Sequence, residues 1–471
     1  MKNLFSKTVA KTGFSLCLAL LCVVVVQRVT SSATRQPEPP DQVPALTPPM
    51  GWNSWDAYGE SVKEKDIRDA AEYMATHMKS HGWQYVVVDM GWYVTNHSAG
   101  TNSKSAQFRL DSSGRYTPAT NTFPSAEGES GFKPLAAYVH SLGLKFGIHI
   151  LRGIPREAVS RNLPIEGSSF HAADAADTSD TCPWNPFNYG MDPAKPAAQA
   201  YYDSVARLYA EWGVDFLKVD CIASHPYKPE EIRMIAEALR KTGRPIVLSL
   251  SPGPAPLEHA EELAKYAQMW RISDDVWDVW HSDSNFPQGV GSQFERAAKW
   301  APFSGPGHWP DADMLPIGSL RPAPGWGRPR ETRLTRDEQR TLLTLWCMFR
   351  SPLIVGGNLP DQAEDSWTAA LLTNDEVLGV DQHSRENRAV ISTATSTVWT
   401  AKQEAGPGYY VAVFNLEAQP RKLYFSWKEL GLPAGSYQLR DLWLGKDLAP
   451  ADSLSVSLPP HGSVLYRLAA K

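Results

Sequence analysis

Charged side chains follow short apolar runs at several points of this chain. In the stretch WGVDFLKVD, a helical pattern ends at Gly213 and an apolar strand then finishes with Lys218 and Asp220. Parallel strands buried on both faces read as near-continuous apolar runs, and ligand sites in parallel α/β folds lie at the strands' carboxyl ends. Asp220 is therefore a candidate catalytic carboxylate. An aspartate in this position is also a common turn or helix N-cap residue, so the rest of the chain must decide.

Other strand-like segments end in the same way, with a polar or aromatic side chain. The candidates at these ends are Trp55, Asp89, His149, Arg271, Asp275, Asp311 and Asp313. Two carboxylates flanking an acetal bond are the minimum equipment of a glycosidase, because one attacks or activates water and the other protonates the leaving oxygen. We choose Asp220 and Asp275 as this pair. Lys218 and Arg271 would favour ionised carboxylates and donate hydrogen bonds to sugar hydroxyls, although a ring of structural salt bridges is the alternative.

No cofactor or metal site is predicted. Asp311 and Asp313 have the alternate spacing of a carboxylate pair that binds a divalent cation, but no His-rich or acidic ligand set accompanies them. Three histidines are interpreted as hydrogen-bonded or pocket-lining residues: His149, His225 and His308. Cys221 reads as a small buried residue or a reactive thiol, and its pairing with Cys182 stays open because the sequence shows no disulfide framework.

Strand and helix patterns alternate along most of the chain. Ser61 and Glu64 read as a capping box before the first helix, and Thr335 and Glu338 before the last one. Eight strand-like segments result when MGWN is counted first, each joined to the next by a helix. This order predicts a (β/α)8 TIM barrel over residues 48–385, with the candidates on one rim. A doubly wound open sheet is the alternative, but no glycine-rich phosphate fingerprint follows the first strand.

Two long insertions in the barrel and a change of sequence pattern after residue 385 complete the domain organisation. The insertions 94–131 and 151–191 follow the second and third strands, so we expect them at the active-site face. Residues 386–471 consist of short alternating runs such as YYVAVFNL, separated by Gly, Pro and Asn without helical periods. They predict a C-terminal antiparallel β-sandwich.

The composition indicates a globular protein rather than a nucleic-acid-binding one. The hydrophobic fraction is 42%, the charged fraction 21% and the net charge −5, and long runs of like charge are absent from the sequence. The chain holds 17 Trp and 17 Tyr residues, and such flat amphipathic rings suit a sugar or aromatic ligand.

The first 33 residues have the pattern of a signal peptide. Three lysines precede an apolar run that is short for a membrane span, and small residues lead to a predicted cleavage after Ala33. Residues 34–47 read as an extended linker. We therefore expect a secreted or periplasmic protein without membrane attachment after cleavage; an uncleaved anchor is the alternative.

Five strings, taken together and in order, are highly specific: PPMGWNSW, GVDFLKVD, WRISDDVWD, WPDADML and RSPLIVGG. They resemble the α-galactosidase (melibiase) family of retaining glycoside hydrolases, family 27, over about residues 48–385. The resemblance implies a double displacement in which Asp220 is the nucleophile and Asp275 the acid/base. It also implies sugar-binding roles for Trp55, Asp89, Lys218, Arg271 and Asp313.

The chain departs from that family where sugar hydroxyls are recognised. The family has a second aspartate after the one matching Asp89, and this pair binds the hydroxyls at C4 and C6, whereas here Met90 follows. Residues 251–253, SPG, replace a Cys-Glu-Trp string whose glutamate reads the C2 hydroxyl, and His149 occupies a tyrosine position. Loss of such groups relaxes or redirects specificity.

The sequence thus predicts an exo-acting α-galactosidase that releases terminal α-linked D-galactose from oligo- or polysaccharides. Met90 keeps open a β-L-arabinopyranosidase, whose substrate resembles galactose without its hydroxymethyl group, or another α-glycosidase. A carbohydrate-binding protein without catalysis is a third interpretation, and the presence of both Asp220 and Asp275 argues against it. Their roles predict an acid-to-neutral pH optimum. A carbohydrate is the predicted partner, with no nucleic acid.

Overall fold

The computed structural model describes residues 43–96, 105–282, 286–320, 328–363 and 365–470. The predicted signal peptide, and the predicted linker up to residue 42, lie outside these ranges, so secretion stays a prediction. Among the described helices, none has both the length and the apolar character needed to cross a bilayer.

In the described part of the chain, eight parallel strands form one sheet. They are β1 (Met50–Asn53), β2 (Tyr85–Val88), β3 (Lys145–Leu151), β4 (Phe216–Asp220), β5 (Val247–Leu250), β6 (Met269–Arg271), β7 (Trp309–Asp311) and β8 (Leu353–Val355). The strands follow one another in chain order from β1 to β7, and β8 pairs with β1. Leu315, just after β7, forms a parallel bridge with Val355 of β8 and closes the sheet. The predicted barrel is confirmed.

Helices connect the strands and cover the outside of the barrel. They are α1 (Glu64–His77), α2 (Lys133–Ser141), α3 (Pro196–Trp212), α4 (Pro229–Lys241), α5 (Ala260–Tyr266), α6 (Gln293–Trp300), α7 (Arg336–Phe349), α8 (Ser366–Leu372) and α9 (Asp375–His383). In α1, for example, Ile67, Ala71 and Met74 form a buried apolar stripe.

The predicted capping box of α1 is wrong. The helix begins at Glu64, and Lys63 is its N-cap residue. The carboxylate of Asp66 accepts the backbone N–H of Lys63 at 2.9 Å, so the third helical position supplies the cap that the sequence had assigned to Ser61. Extended dihedral angles at Lys63 leave its N–H free of the helix ladder, and an acidic side chain in the first turn is favoured there.

Smaller elements fill the connections. Strands Ile154–Pro155, Ala176–Thr181 and Asn188–Met191 form an antiparallel sheet in the second insertion, and Ser319–Leu320 pairs with Arg330–Glu331 after β7. Short α-helices are Trp55–Tyr58, Arg156–Ser160 and Ala172–Ala175. Short 3₁₀ segments are Gly59–Ser61, Lys79–His81, Pro124–Glu129, Leu257–His259, Val290–Ser292, Ala301–Phe303 and Pro360–Ala363, and the one at Pro124–Glu129 is kinked at Glu127 and Gly128. These elements give the long insertions local structure of their own.

A disulfide joins the second insertion to the end of β4. Cys182 and Cys221 are 39 residues apart in sequence, and their Cα atoms are 6.0 Å apart. The interpretation of Cys221 as a reactive thiol is therefore wrong: the residue next to Asp220 is a cross-link. The barrel brings the two cysteines together because the insertion that leaves β3 returns over the end of the neighbouring strand.

The C-terminal part forms two antiparallel sheets. Its strands are β9 (Ser384–Ser392), β10 (Ser396–Gln403), β11 (Tyr409–Asn415), β12 (Arg421–Ser426), β13 (Tyr437–Asp441), β14 (Lys446–Asp447), β15 (Ser453–Leu458) and β16 (Ser463–Ala470). The larger sheet has the order β9-β10-β11-β16-β13-β14, and β12 pairs with β15. Val413, Leu454 and Leu468 belong to a separate apolar core between the sheets. The predicted β-sandwich is confirmed.

The sandwich packs directly against helices of the barrel. Trp443 donates its indole N–H to Thr344 Oγ1 of α7 at 2.9 Å. Arg440 forms a two-pronged ion pair with Glu376 of α9, with N···O distances of 2.6 and 2.7 Å. Phe414 of β11 belongs to the same apolar core as the barrel residues. The contact between barrel and sandwich is therefore both apolar and polar.

Candidate active site

The carboxyl ends of the barrel strands surround a pocket of about 380 Å³. Six of the seven predicted site residues line this pocket: Trp55, Asp89, Lys218, Asp220, Arg271 and Asp275. The seventh, Asp313, lines a small buried cavity that shares Lys218 and Arg271 with the pocket. The structure thus brings the predicted residues together, while their individual roles stay predictions.

Asp220 has a hydrogen-bonding partner on each carboxylate oxygen. Its Oδ1 accepts the backbone N–H of Cys221 at 2.8 Å, and its Oδ2 lies 3.2 Å from Nε2 of His149. Burial favours the neutral acid, but the hydrogen bond and charge of His149, together with Lys218, outweigh it and lower the pKa of Asp220. An oriented carboxylate that stays ionised is what a nucleophile at this position requires.

Asp89 and Lys218 form a buried ion pair on the floor of the pocket. Asp89 Oδ2 accepts hydrogen bonds from Lys218 Nζ at 2.8 Å and from Asn53 Nδ2 at 2.7 Å, and its Oδ1 accepts the N–H of Met90. Burial opposes the charge of Asp89, but Lys218 holds the pKa of that carboxyl well below its usual range. Likewise, burial opposes the charge of Lys218, and Asp89 and Asp220 raise its pKa. Both groups are therefore charged at neutral pH.

Arg271 connects the proposed acid/base residue to the deep end of the site. Its guanidinium lies 3.2 Å from Asp275 Oδ1 and 2.7 Å from Asp313 Oδ1. The other oxygen of Asp313 accepts the backbone N–H of Val276 at 2.7 Å. The side chain of Asp275 is 31% exposed, whereas that of Arg271 is 3% exposed. Asp275 can therefore exchange protons with water while its buried neighbour fixes its direction.

Protein donors occupy the two carboxylates that the sequence offered as a metal pair. Asp311 Oδ1 accepts the backbone N–H of Asp313 at 2.9 Å. Burial and the nearby Asp275 and Asp311 raise the pKa of Asp313, and Arg271 opposes that rise. Across the described ranges, no three His, Cys, Asp or Glu side chains are grouped in a way that could hold a metal ion.

The other residues that line the pocket belong to loops, among them the second insertion, which was expected at the active-site face. They include Glu60, Trp184, His225, Pro252, Asp274, Phe286 and Met314. His225 and His308 were both interpreted as hydrogen-bonded or pocket-lining residues. His225 lines the pocket, and Nδ1 of His308 forms a hydrogen bond with the carbonyl of Phe303. Trp184 follows the disulfide cysteine Cys182 in the second insertion. Aromatic walls above a charged floor suit a sugar, whose ring face is apolar and whose hydroxyls need partners.

The departures from the family pattern lie on the pocket surface. Met90 is buried, lines the pocket next to Asp89, and has its sulfur 3.7 Å from Nδ2 of Asn185. Ser251 and Pro252 line the wall in place of the family's glutamate region. Where the resemblance implies hydroxyl-binding carboxylates, the pocket therefore presents a thioether, a small hydroxyl and a proline ring.

Comparison with known proteins agrees with this geometry. Residues 191–383 match the family model described as alpha galactosidase A, and residues 393–468 match the alpha galactosidase C-terminal beta sandwich domain. The structure is also similar to that of a GH27 β-L-arabinopyranosidase from Geobacillus stearothermophilus, at 50% sequence identity over 90% of this chain and 97% of the other, with a TM-score of 0.84. The chain belongs to glycoside hydrolase family 27. It is a glycoside hydrolase, and the resemblance seen in its motifs is confirmed.

Two further relatives carry different names. A structure of a putative α-N-acetylgalactosaminidase from Bacillus halodurans is 44% identical, with a TM-score of 0.79 over 91% of this chain and 98% of the other. The α-galactosidase A of Cellvibrio japonicus is 27% identical over 449 residues, which cover 91% of this chain and 93% of that protein. The family thus includes enzymes named for three different sugars.

Removing the disulfide should destabilise the protein and loosen the pocket wall. For Cys182→Ser we expect the free energy of unfolding to fall by ~3–4 kcal/mol, because the cross-link restricts the unfolded chain. KM should rise as well, since the insertion supplies Trp184 to the pocket. Urea denaturation with and without a reductant tests this: the reductant should shift only the wild-type midpoint. Equal midpoints for variant and oxidised wild type would contradict the prediction.

Proposed function

We propose that this enzyme is a retaining exo-glycosidase that releases terminal β-L-arabinopyranosyl units. The observation that carries this choice of sugar is Met90, an apolar side chain in the pocket. It stands at the position of the second aspartate of the family's pair that binds the C4 and C6 hydroxyls. β-L-Arabinopyranose has the ring of α-D-galactose without the hydroxymethyl group. A sugar lacking that group has no C6 hydroxyl that would lose its hydrogen bonds to water against the thioether.

Two further observations support the same choice. Met90 packs beside Asn185, so the side chain is fixed in the wall and does not turn away from the pocket. A variant of the Geobacillus β-L-arabinopyranosidase, solved in complex with arabinose, is 49% identical to this chain over 91% of it. That identity is well above the 27% shared with the Cellvibrio α-galactosidase A.

α-D-Galactosidase activity is the second candidate. The buried pair of Asp89 and Lys218 is present, and in the family pattern these residues bind hydroxyls of galactose. The ring hydroxyls of the two sugars are arranged alike, so a galactoside should enter the same pocket. We expect slower turnover of galactosides, because the hydroxyl of their hydroxymethyl group would be left without a hydrogen-bonding partner beside Met90. The free-energy cost of an unpaired polar group exceeds the gain from the apolar contact of one extra methylene.

The proposed reaction is a double displacement. Asp220 attacks the anomeric carbon and forms a glycosyl ester while Asp275 donates its proton to the departing oxygen. Asp275, now a carboxylate, takes a proton from water as that water attacks the anomeric carbon and releases Asp220. Both residues return to their starting protonation states, and two inversions preserve the anomeric configuration. Such chemistry needs carboxyl groups roughly 5 to 5.5 Å apart.

Initial rates on four p-nitrophenyl glycosides test the proposal. The panel contains the β-L-arabinopyranoside, the α-galactoside, the α-N-acetylgalactosaminide and the α-glucoside. We expect the highest kcat/KM on the arabinopyranoside, by roughly tenfold or more over the galactoside. A higher value on the galactoside would favour the second candidate, and activity on none of the four would contradict both. Product configuration after transfer to methanol, read by NMR, tests retention.

Exchange of Met90 should redirect the sugar preference. For Met90→Asp we expect the ratio of galactoside to arabinopyranoside kcat/KM to rise about 10- to 100-fold, because a carboxylate can accept a hydrogen bond from the hydroxymethyl group. Met90→Leu is the matched control, since it keeps an apolar side chain of similar volume and should leave the ratio close to that of the wild type. An unchanged ratio in the aspartate variant would show that Met90 does not set specificity.

The acid limb of the kcat/KM profile should lie below the usual aspartate range. The pKa of Asp220 is lowered, so its carboxylate remains ionised to lower pH, and activity falls only as the pH drops through this lowered value. His149→Phe removes the partner of Asp220 Oδ2 and should move the acid limb to higher pH. His308→Phe is the control, because its ring bonds a backbone carbonyl elsewhere. An acid limb that is the same in all three proteins would contradict the role of His149.

A further inference from the structure

The loop that carries Asp275 also contacts the C-terminal sandwich. We call residues 274–281 and 288–291, between β6 and α6, the acid/base loop. Trp280 of this loop is buried and stacks face to face on His461, with ring centroids 4.1 Å apart and an angle of 9° between the planes. His461 lies in the turn between β15 and β16. A residue of the sandwich is thus in direct contact with the loop that holds the proposed acid.

Hydrogen bonds inside the acid/base loop connect Trp280 to Asp275. The carbonyl of Asp275 accepts the N–H of Gln288 at 2.8 Å, and the carbonyl of Gln288 accepts the N–H of Trp277 at 3.1 Å. Further along, the carbonyl of Trp280 accepts the N–H of Gly291 at 2.9 Å. Backbone hydrogen bonds therefore join the two arms of the loop both at the end that holds Asp275 and at the end that holds Trp280.

The imidazole ring of His461 is itself held in place by α7. Its Nδ1 lies 2.7 Å from Oε1 of Glu338. The other carboxylate oxygen of Glu338 accepts the N–H of Thr335 in the capping box of α7, as predicted from the sequence. The hydroxyl of Thr341 donates to the carbonyl of His461 at 2.6 Å. The histidine ring is therefore a fixed surface on which Trp280 rests.

We propose that His461 is a positioning residue for the acid/base aspartate. It acts through Trp280 and fixes the acid/base loop so that Asp275 faces the departing oxygen. The sandwich then takes part in catalysis rather than only stabilising the barrel. This inference rests on the assignment of Asp275 in the proposed function, but it does not depend on which sugar is the substrate.

Leaving-group dependence separates positioning from stability. A phenyl glycoside needs protonation of its oxygen as the bond breaks, whereas a dinitrophenyl glycoside leaves as a stable anion. The ratio of their kcat/KM values therefore reports how well the acid is placed during the first displacement. A contact that only joins two domains would change the melting temperature and leave this ratio unaltered.

The experiment uses His461→Ala and the sugar on which the wild type is most active. We expect kcat/KM on the phenyl glycoside to fall roughly tenfold more than on the dinitrophenyl glycoside. His461→Phe keeps a flat ring against Trp280 and should restore most of the wild-type ratio. Arg440→Ala is the matched control: it breaks another contact between sandwich and barrel, with Glu376, and should lower the melting temperature without changing the ratio.

Equal losses on both glycosides, or no loss on either, would overturn the proposal. If His461→Ala does not fold, His461→Gln, which keeps a donor for Glu338 but has no ring, is compared in the same way. Asp275→Ala is measured in parallel. If that variant shows no leaving-group dependence, the acid/base assignment itself fails; if it does and the His461 variants do not, only the positioning role fails.

Discussion

Asp220→Asn should lower kcat by about 10⁴-fold or more while substrate binding changes little. The amide is nearly isosteric with the carboxylate and can still accept the N–H of Cys221, so the end of β4 should keep its shape. It cannot form the glycosyl ester, because its oxygen is a far weaker nucleophile than an ionised carboxylate. The loss therefore falls on the first chemical step.

This prediction needs kcat from an aryl glycoside and the Kd of the free sugar by titration calorimetry. Asp215→Asn is the matched control, because it makes the same change just before the amino end of β4, where Asp215 contacts His140 and Arg244 rather than the pocket. That control should lose stability and keep its kcat. A kcat close to wild type in Asp220→Asn would show that another residue is the nucleophile.

The barrel and its charged rim could be predicted because the signal is local. Each buried parallel strand must be apolar on both faces, so a strand such as β4 reads as a short apolar run, and the charges of Lys218 and Asp220 mark its functional end. The sandwich could be predicted equally well, because apolar and polar residues alternate along its strands with a period of two. Helix starts were less reliable: α1 takes its cap from Asp66 and Lys63 rather than from Ser61, a choice made by backbone dihedral angles.

Contacts between residues far apart in the chain could not be predicted from the spacing of residues in the sequence. His149 was interpreted as a hydrogen-bonded or pocket-lining residue, but its partner was not named. β3 and β4 pair so that His149 stands opposite Lys218, which brings its ring to Asp220. The predicted barrel order already made β3 and β4 neighbours, so this contact could have been found by assuming a register. The disulfide and the stacking of Trp280 on His461 depend on loop paths, for which the sequence holds no comparable signal.

Asp275→Ala should lower kcat/KM on the phenyl glycoside by about 10³-fold and much less on the dinitrophenyl glycoside. The proton donor is lost, and only an oxygen that needs protonation is affected. The side chain is partly exposed, and Arg271 keeps its ion pair with Asp313, so the variant should fold.

Azide distinguishes the two carboxylates. In Asp275→Ala the glycosyl ester on Asp220 still forms from an activated substrate, and azide can attack it without a general base. The glycosyl azide should then keep the substrate's anomeric configuration, because two inversions have occurred. Direct attack by azide in a variant without the nucleophile would invert it. The control is Asp274→Ala, which removes the neighbouring carboxylate of the pocket wall and should show neither leaving-group dependence nor azide product. A glycosyl azide of inverted configuration from Asp275→Ala would instead identify Asp275 as the nucleophile and Asp220 as the acid/base.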